Sequence, residues 1–207
     1  MNMLNIKVKG NSMYPAIKRI FDVLAAAAGL IILLPLFLIV AAVIKGESKG
    51  AVFFRQKRIG KDKCYFYIYK FRTMRVDTPK DVPTHLMTGA DSYITRTGGF
   101  LRKTSLDELP QLINILKGEM SFVGPRPALW NQDDLVALRD LGLSNGCVPG
   151  LTGLAQIKGR DELPIEVKAR FDNEYAEKMG LWLDVKIVFV TAVKAVLGDG
   201  VREGGVK

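Results

Sequence analysis

The run VLAAAAGLIILLPLFLIVAAVI, residues 23–44, holds 22 consecutive positions without a charge. A helix needs about 20 apolar residues to cross the hydrocarbon of a bilayer, and a helix in a soluble core normally keeps a polar stripe. The run therefore predicts a membrane segment. It is too long for the apolar part of a cleavable signal, and no small-residue cleavage site follows it. Pro35 sits near its middle, where it removes a backbone hydrogen bond and kinks a helix. Both flanks are basic: Lys7, Lys9, Lys18 and Arg19 precede the run, and Lys45, Lys49, Arg55, Lys57 and Arg58 follow it. A single crossing keeps one basic flank in the cytoplasm. A helix-break-helix that enters and leaves by one face satisfies both flanks. From the residues alone, spanning and re-entrant paths both stand. Asp22 is expected at headgroup level, beside Lys18 and Arg19.

The 207-residue chain has a formal net charge of +9, and the excess lies in its first 126 residues: residues 45–126 carry 16 Lys/Arg against 8 Asp/Glu, residues 127–207 carry 10 against 12. A field of that sign favours phosphate-rich partners such as nucleotides, nucleic acid or anionic headgroups. Cys64 and Cys147 stand far apart, which predicts neither a disulfide framework nor a zinc site. His85 is the only histidine, so histidine triads and two-histidine metal sites are excluded.

Beyond the apolar run, AVFFRQ and CYFYIYKF have strand composition around the turn RIGKDK, which predicts a β-hairpin. Residues 77–100, with Pro79, Pro83, Gly89, Gly98 and Gly99, read as a loop with short elements. Helices are predicted over 107–118, 131–143 and 164–180. CVPGLTGLAQIKGR reads as loop with a short strand. The stretch GLWLDVKIVFVTAVKAVLG, 180–198, is interrupted by Asp184, Lys186 and Lys194, so it should not span; a helix at the membrane interface and a core helix are equal alternatives.

Asp107 and Glu108 stand side by side in SLDELPQL, just after Arg102 and Lys103. One reading is structural: acidic residues cap a helix that starts there, and Ser105 with Glu108 matches a capping box. The other is chemical. MSFVGPRP follows, and its two prolines present Arg126 from a restrained backbone. A guanidinium matches a phosphate with two parallel hydrogen bonds. A carboxylate can attack phosphorus covalently once cations offset the repulsion. Mg²⁺ often uses only one or two carboxylates plus substrate phosphates. The economical split makes Asp107 the nucleophile and Glu108 the metal ligand.

FRQKRIG, YKFRTM, TSLDELPQLINILKGEMSFVGPRP and PGLTGLAQIKGR, in this order after an apolar segment, closely resemble the bacterial sugar transferases, the monotopic phosphoglycosyl transferases. The resemblance runs from about residue 16 to about 198. It implies an α+β, mostly helical fold: a re-entrant membrane helix within residues 1–46, a compact catalytic domain with a small β-hairpin and an interfacial amphipathic helix over 47–198, and a flexible tail over 199–207. It implies transfer of a sugar phosphate from a UDP-sugar to polyprenyl (undecaprenyl) phosphate with release of UMP, the first membrane step of bacterial glycan assembly, at the cytoplasmic face of the inner membrane. The family's small members suggest an N-acetylated hexosamine as the sugar. Many members have Ser-Pro at the membrane break, where this chain has Leu34-Pro35.

By the same resemblance Asp107 attacks the phosphate next to the sugar, Glu108 contributes to binding the required Mg²⁺, and Lys70, Arg72, Arg102, Arg126 and Arg160 hold the diphosphate and the lipid phosphate. Gln156 is either a site residue or a packing residue. Membrane lipid and, further along, downstream glycosyltransferases are the implied partners; no nucleic acid is expected. Two rivals remain at this stage. One is a membrane-anchored nucleic-acid-binding protein, which leaves the acidic pair unexplained. The other is a non-catalytic scaffold of a glycan-assembly complex, which leaves Asp107, Glu108 and Arg126 without a purpose.

Overall fold

A computed structural model describes residues 13–78, 89–159 and 162–197. The apolar run becomes the middle of one helix, α1 (Tyr14–Glu47), with Pro15 in its first turn and a mean hydropathy of 3.0 over its most apolar stretch. The helix is long and apolar enough to cross a bilayer. Pro35 lies inside the helix.

One face of α1 packs along a globular body. Ala26, Leu30 and Leu33 meet Leu112, Ile115 and Met120. Leu36, Phe37, Val40 and Ile44 meet Phe71 and Leu101. The other face carries Ile20, Phe21, Leu24, Ile31, Ile32, Leu38 and Ile39, with Ile31 75% and Ile32 74% exposed. An apolar strip of that extent is costly in water and suits lipid.

Both ends of α1 are tied to the same body. At the start, the Arg19 guanidinium donates to the carbonyls of Ile115 and Leu116, Lys18 and Tyr14 donate to Asp184, and Asp22 accepts from the Phe122 amide at 3.2 Å. Asp22 is therefore buried in the docking contact. At the far end, Arg72 donates to the Lys49 and Ser48 carbonyls at 2.6 and 2.8 Å, to the Ser48 hydroxyl at 2.9 Å and to the Ile44 carbonyl at 3.4 Å. Arg72 thus clamps the C-terminal end of α1 and the two residues that follow it, beside the Ser48 N–H that caps the Ile44 carbonyl.

The predicted hairpin forms from β1 (Phe53–Ile59) and β2 (Tyr65–Phe71), antiparallel with Phe54 opposite Lys70 and Gln56 opposite Ile68. Period-2 alternation puts Phe66, Ile68 and Lys70 on one face. Phe66 and Ile68 join the core beneath it. The opposite face carries Arg55, Lys57, Tyr65, Tyr67 and Tyr69, where Arg55 lies over Tyr67 and Tyr69, and Lys57 over Tyr65.

Within the segment read as loop, residues 79–88 lie outside the described residues, and α2 (Arg96–Lys103) forms behind a Thr95 cap. Gly98 lets α2 approach the chain after β2 closely: a Cβ there would lie 1.9 Å from the Thr73 carbonyl oxygen. Its glycine answers a packing demand, not a turn. Then come α3 (Gln111–Lys117), β3 (Ser121–Val123), α4 (Asp133–Arg139), β4 (Gly150–Thr152), α5 (Leu154–Lys158), α6 (Ile165–Lys178) and α7 (Leu181–Leu197). The sequence reading missed β3 and α5. β3 and β4 pair in parallel, Ser121 with Gly150 and Val123 with Thr152.

α7 divides the two alternatives between its faces. Ile187 is fully buried with Val123, Leu154 and Tyr175, while Trp182 is 84% and Phe189 68% exposed. The expected tail, 199–207, lies outside the described residues.

Candidate active site

Ser105 adopts a left-handed backbone, φ 56°, and turns the chain from α2 into a single 3-10 turn, Leu106–Glu108. Leu106 and Leu109 pack into the cluster under α1, which pins the turn from one side. Asp107 and Glu108 thus stand on a tight turn ahead of α3, not in the helix the sequence predicted. They are 8% and 9% exposed. The capping-box reading fails here: neither Ser105 nor Pro110 makes a side-chain cap. The Glu108 carboxylate faces cations instead.

Lys70 Nζ donates to Glu108 Oε1 at 2.7 Å, and Arg126 Nη2 donates to the same oxygen at 3.0 Å. Lys70 reaches it from the end of β2, whose register against α3 is set by Asn114. That fully buried amide accepts from the Tyr69 N–H at 3.0 Å and donates to the Tyr67 carbonyl at 2.7 Å. Asn114 is the polar residue inside LINIL, and its position was the only local signal of this role. Arg102, in the last turn of α2, is oriented by Thr73, whose hydroxyl accepts from Nε at 3.1 Å.

These charges act together on Asp107. Burial pushes its carboxyl above the usual range; Lys70 is the strongest influence in the other direction, Glu108 adds to the rise, and Arg102 and Arg126 oppose it. A desolvated carboxylate beside three cations is a reactive group whose charge is stabilised by neighbours rather than by water. The structure therefore gathers Lys70, Arg102 and Arg126 with the acidic pair.

Arg72 is the exception among the expected phosphate-binding residues. It lies one residue past the end of β2, it is 7% exposed, and its guanidinium is committed to the carbonyls at the end of α1. Its guanidinium makes an anchoring contact with the chain itself. Arg160 lies outside the described residues. Gln156, on α5, is a half-buried residue whose amide has no partner among the described residues.

The model of the family described as "Bacterial sugar transferase" matches residues 13–198, nearly the whole described chain. The chain belongs to the bacterial sugar transferase family. Among the most similar members is a UDP-glucose:undecaprenyl-phosphate glucose-1-phosphate transferase of Xanthomonas campestris pv. campestris, 41% identical over 189 residues that cover 88% of this chain and 39% of the relative. An Escherichia coli (strain K12) relative with the same name is 40% identical over 86% of this chain and 40% of its own length. An exopolysaccharide production protein, ExoY, of Rhizobium meliloti (strain 1021) is 38% identical over 88% of this chain and 87% of its own length. The chain thus spans about two fifths of the Xanthomonas and Escherichia relatives and most of the Rhizobium one.

Among the described residues no group of three His, Cys, Asp or Glu side chains could hold a metal alone. The two adjacent carboxylates fit Mg²⁺ in one way only: as one or two protein oxygens completed by water and substrate phosphates, the usual pattern for this hard cation. Glu108 is the residue that would supply a protein oxygen, beside Asp107.

Proposed function

We propose that this sugar transferase moves a sugar phosphate from a UDP-sugar to a polyprenyl phosphate, releasing UMP and forming a polyprenyl diphosphate sugar at the membrane surface. The observation that carries the reading is the convergence of Lys70 and Arg126 on Glu108 beside a desolvated Asp107. Such a constellation is suited to hold a diphosphate and to supply a nucleophile. The names of the relatives support undecaprenyl phosphate as the acceptor and glucose as the first sugar to test, ahead of the N-acetylated hexosamine expected from the family resemblance.

The chemistry runs as two displacements at one phosphorus. An Asp107 carboxylate oxygen attacks the phosphorus next to the sugar; the bond to the bridging oxygen breaks, and UMP leaves with the electron pair. An oxygen of the lipid phosphate then attacks the same phosphorus, and the Asp107 carboxylate leaves. Lys70, Arg102 and Arg126 offset the negative charge gathered in each displacement, the electrostatic term that dominates phosphoryl transfer. Mg²⁺, held through Glu108 with substrate oxygens, supplies further charge neutralisation when bound.

The membrane arrangement that fits is monotopic and re-entrant. Its support is that Arg19, at one end of α1, and Ser48, just past the other, both touch the same globular body, while the outward face of α1 is apolar. The outer face of α7, with Trp182 and Phe189, extends that contact. A shallow anchor of this kind lets a water-soluble nucleotide sugar meet a lipid phosphate at the interface.

Purified protein in lipid nanodiscs with undecaprenyl phosphate, offered a panel of UDP-sugars, tests the reading. UMP release with one sugar, dependent on the acceptor, supports it. No UMP release with any sugar would refute it.

A further inference from the structure

The loop that carries Arg126 is held by its carbonyls. Gly150 N–H donates to the Pro125 carbonyl at 2.9 Å, Arg139 Nη2 to the Arg126 carbonyl at 2.8 Å, Arg58 Nη1 to the Pro127 carbonyl at 3.0 Å, and Ile59 N–H to the Ala128 carbonyl at 2.9 Å. Four consecutive carbonyls therefore have donors from three places in the chain: the end of β1, α4 and β4. Two of those donors are backbone groups of the parallel strand pair and the hairpin. The Arg139 guanidinium is the charged donor among them that is buried.

Arg139 is 5% exposed and Asp172 2%. Nε and Nη2 of Arg139 both donate to Asp172 Oδ2, at 3.0 and 2.6 Å, and Nη2 also reaches Arg126. Oδ1 of Asp172 has no partner among the described residues. Burial pushes the Asp172 carboxyl up, and Arg139 opposes the rise. A buried ion pair contributes little net stability compared with apolar side chains of the same volume, because both charges lose their water. What this one does provide is a fixed donor under the backbone of Arg126, whose side chain points at Glu108.

We propose that Arg139, oriented by Asp172, is a positioning residue that sets the reach of the Arg126 guanidinium into the site. The inference rests on the phosphate-binding role given to Arg126 above. A lysine at position 139 keeps the charge but offers one nitrogen where the guanidinium places two, so it cannot hold Asp172 and the Arg126 carbonyl in the same geometry.

A double-mutant cycle tests it, because residues that act through one another are non-additive. Arg139→Lys and Asp172→Asn are made in the wild-type and in an Arg126→Ala background, and UMP release is measured with UDP-glucose and undecaprenyl phosphate alongside thermal midpoints. In the wild-type background each is expected to lower kcat by about ten-fold, with KM moved less than about three-fold, as for a group acting on the transition state. In the Arg126→Ala background each is expected to change kcat by less than about two-fold. Equal losses in both backgrounds would overturn the proposal, as would no loss in the wild-type background, or a failure of both variants to fold, which would make the pair purely structural. Wild-type protein that releases no UMP sinks the parent reading; wild-type turnover with additive losses sinks the positioning role alone.

Discussion

Lys70 and Arg126 donate to one oxygen, Oε1 of Glu108, at 2.7 and 3.0 Å. Two cations on one carboxylate leave a strongly positive surround for the neighbouring Asp107. Lys70 is the charge that does most to keep Asp107 ionised against its burial. An ordinary aspartate titrates near ~3.9. Asp107 lies above that in the folded protein, so its ionised, nucleophilic form is lost as pH falls through the raised value. The acid limb of kcat/KM should therefore sit above the ordinary carboxylate range. Lys70→Gln should move that limb to higher pH and lower the plateau by about 10²–10³-fold, the cost of removing one preorganised donor. A pH–rate profile in which the limb stays put contradicts this.

The same burial gives the stability of the Asp107 variants a definite sign. With a folded value above the unfolded one, Asp107 favours the folded state below the unfolded value, and that contribution is lost as pH rises through the folded value. At neutral pH its charge is a cost to folding. Asp107→Asn should thus abolish turnover while leaving the thermal midpoint unchanged or higher. Glu108→Gln should do the opposite to stability, removing the shared partner of Lys70 and Arg126 at a cost of roughly 1–3 kcal/mol. Thermal melts of the two proteins side by side check the pair.

Arg72 separates anchoring from chemistry. Its guanidinium bonds the carbonyls of Ile44, Ser48 and Lys49. Arg72→Ala should lower stability by roughly 1.5–3 kcal/mol, the range for hydrogen bonds to a charged group. Activity per folded molecule should stay within a few-fold of wild type. A KM for the UDP-sugar that rises steeply in a protein of unchanged stability would restore the phosphate-binding role.

Topology is open to labelling. With Cys64 and Cys147 replaced by serine, single cysteines at Met13 and Lys49 flank α1. A membrane-impermeant maleimide applied from the cytoplasmic side should label both. Labelling of only one would mean that α1 spans, against the attachment of both its ends to one globular body.

The sequence announced what was local and periodic. The apolar run, the alternating hairpin strands and the acidic pair among cations were all readable. The α2 helix was hidden because Gly98 and Gly99 signal a turn, whereas Gly98 is there so that the helix can lie against Thr73. The dyad's turn was read as helix because Pro110 also suits a first helical turn; the left-handed Ser105 moved the helix start to Gln111. β3 is three residues long and pairs with the equally short β4 across the chain, below the length at which periodicity speaks. Arg139 and Asp172 lie on separate helices, α4 and α6, and nothing near either announces the other. Arg72 shares a motif with Lys70, yet the strand ends between them and the two side chains part ways.

The central claim is a covalent bond at one carboxylate, and trapping tests it most directly. UDP-sugar labelled in the sugar and in the adjacent phosphate is added with Mg²⁺ but without acceptor, the reaction is quenched, and the protein is digested for peptide mass spectrometry. A sugar-phosphate mass on the peptide carrying Asp107, absent in Asp107→Asn and discharged by undecaprenyl phosphate, is the expected result. An Asp107→Asn protein that still turns over, or acceptor-dependent UMP release with no label on that peptide, would contradict the account.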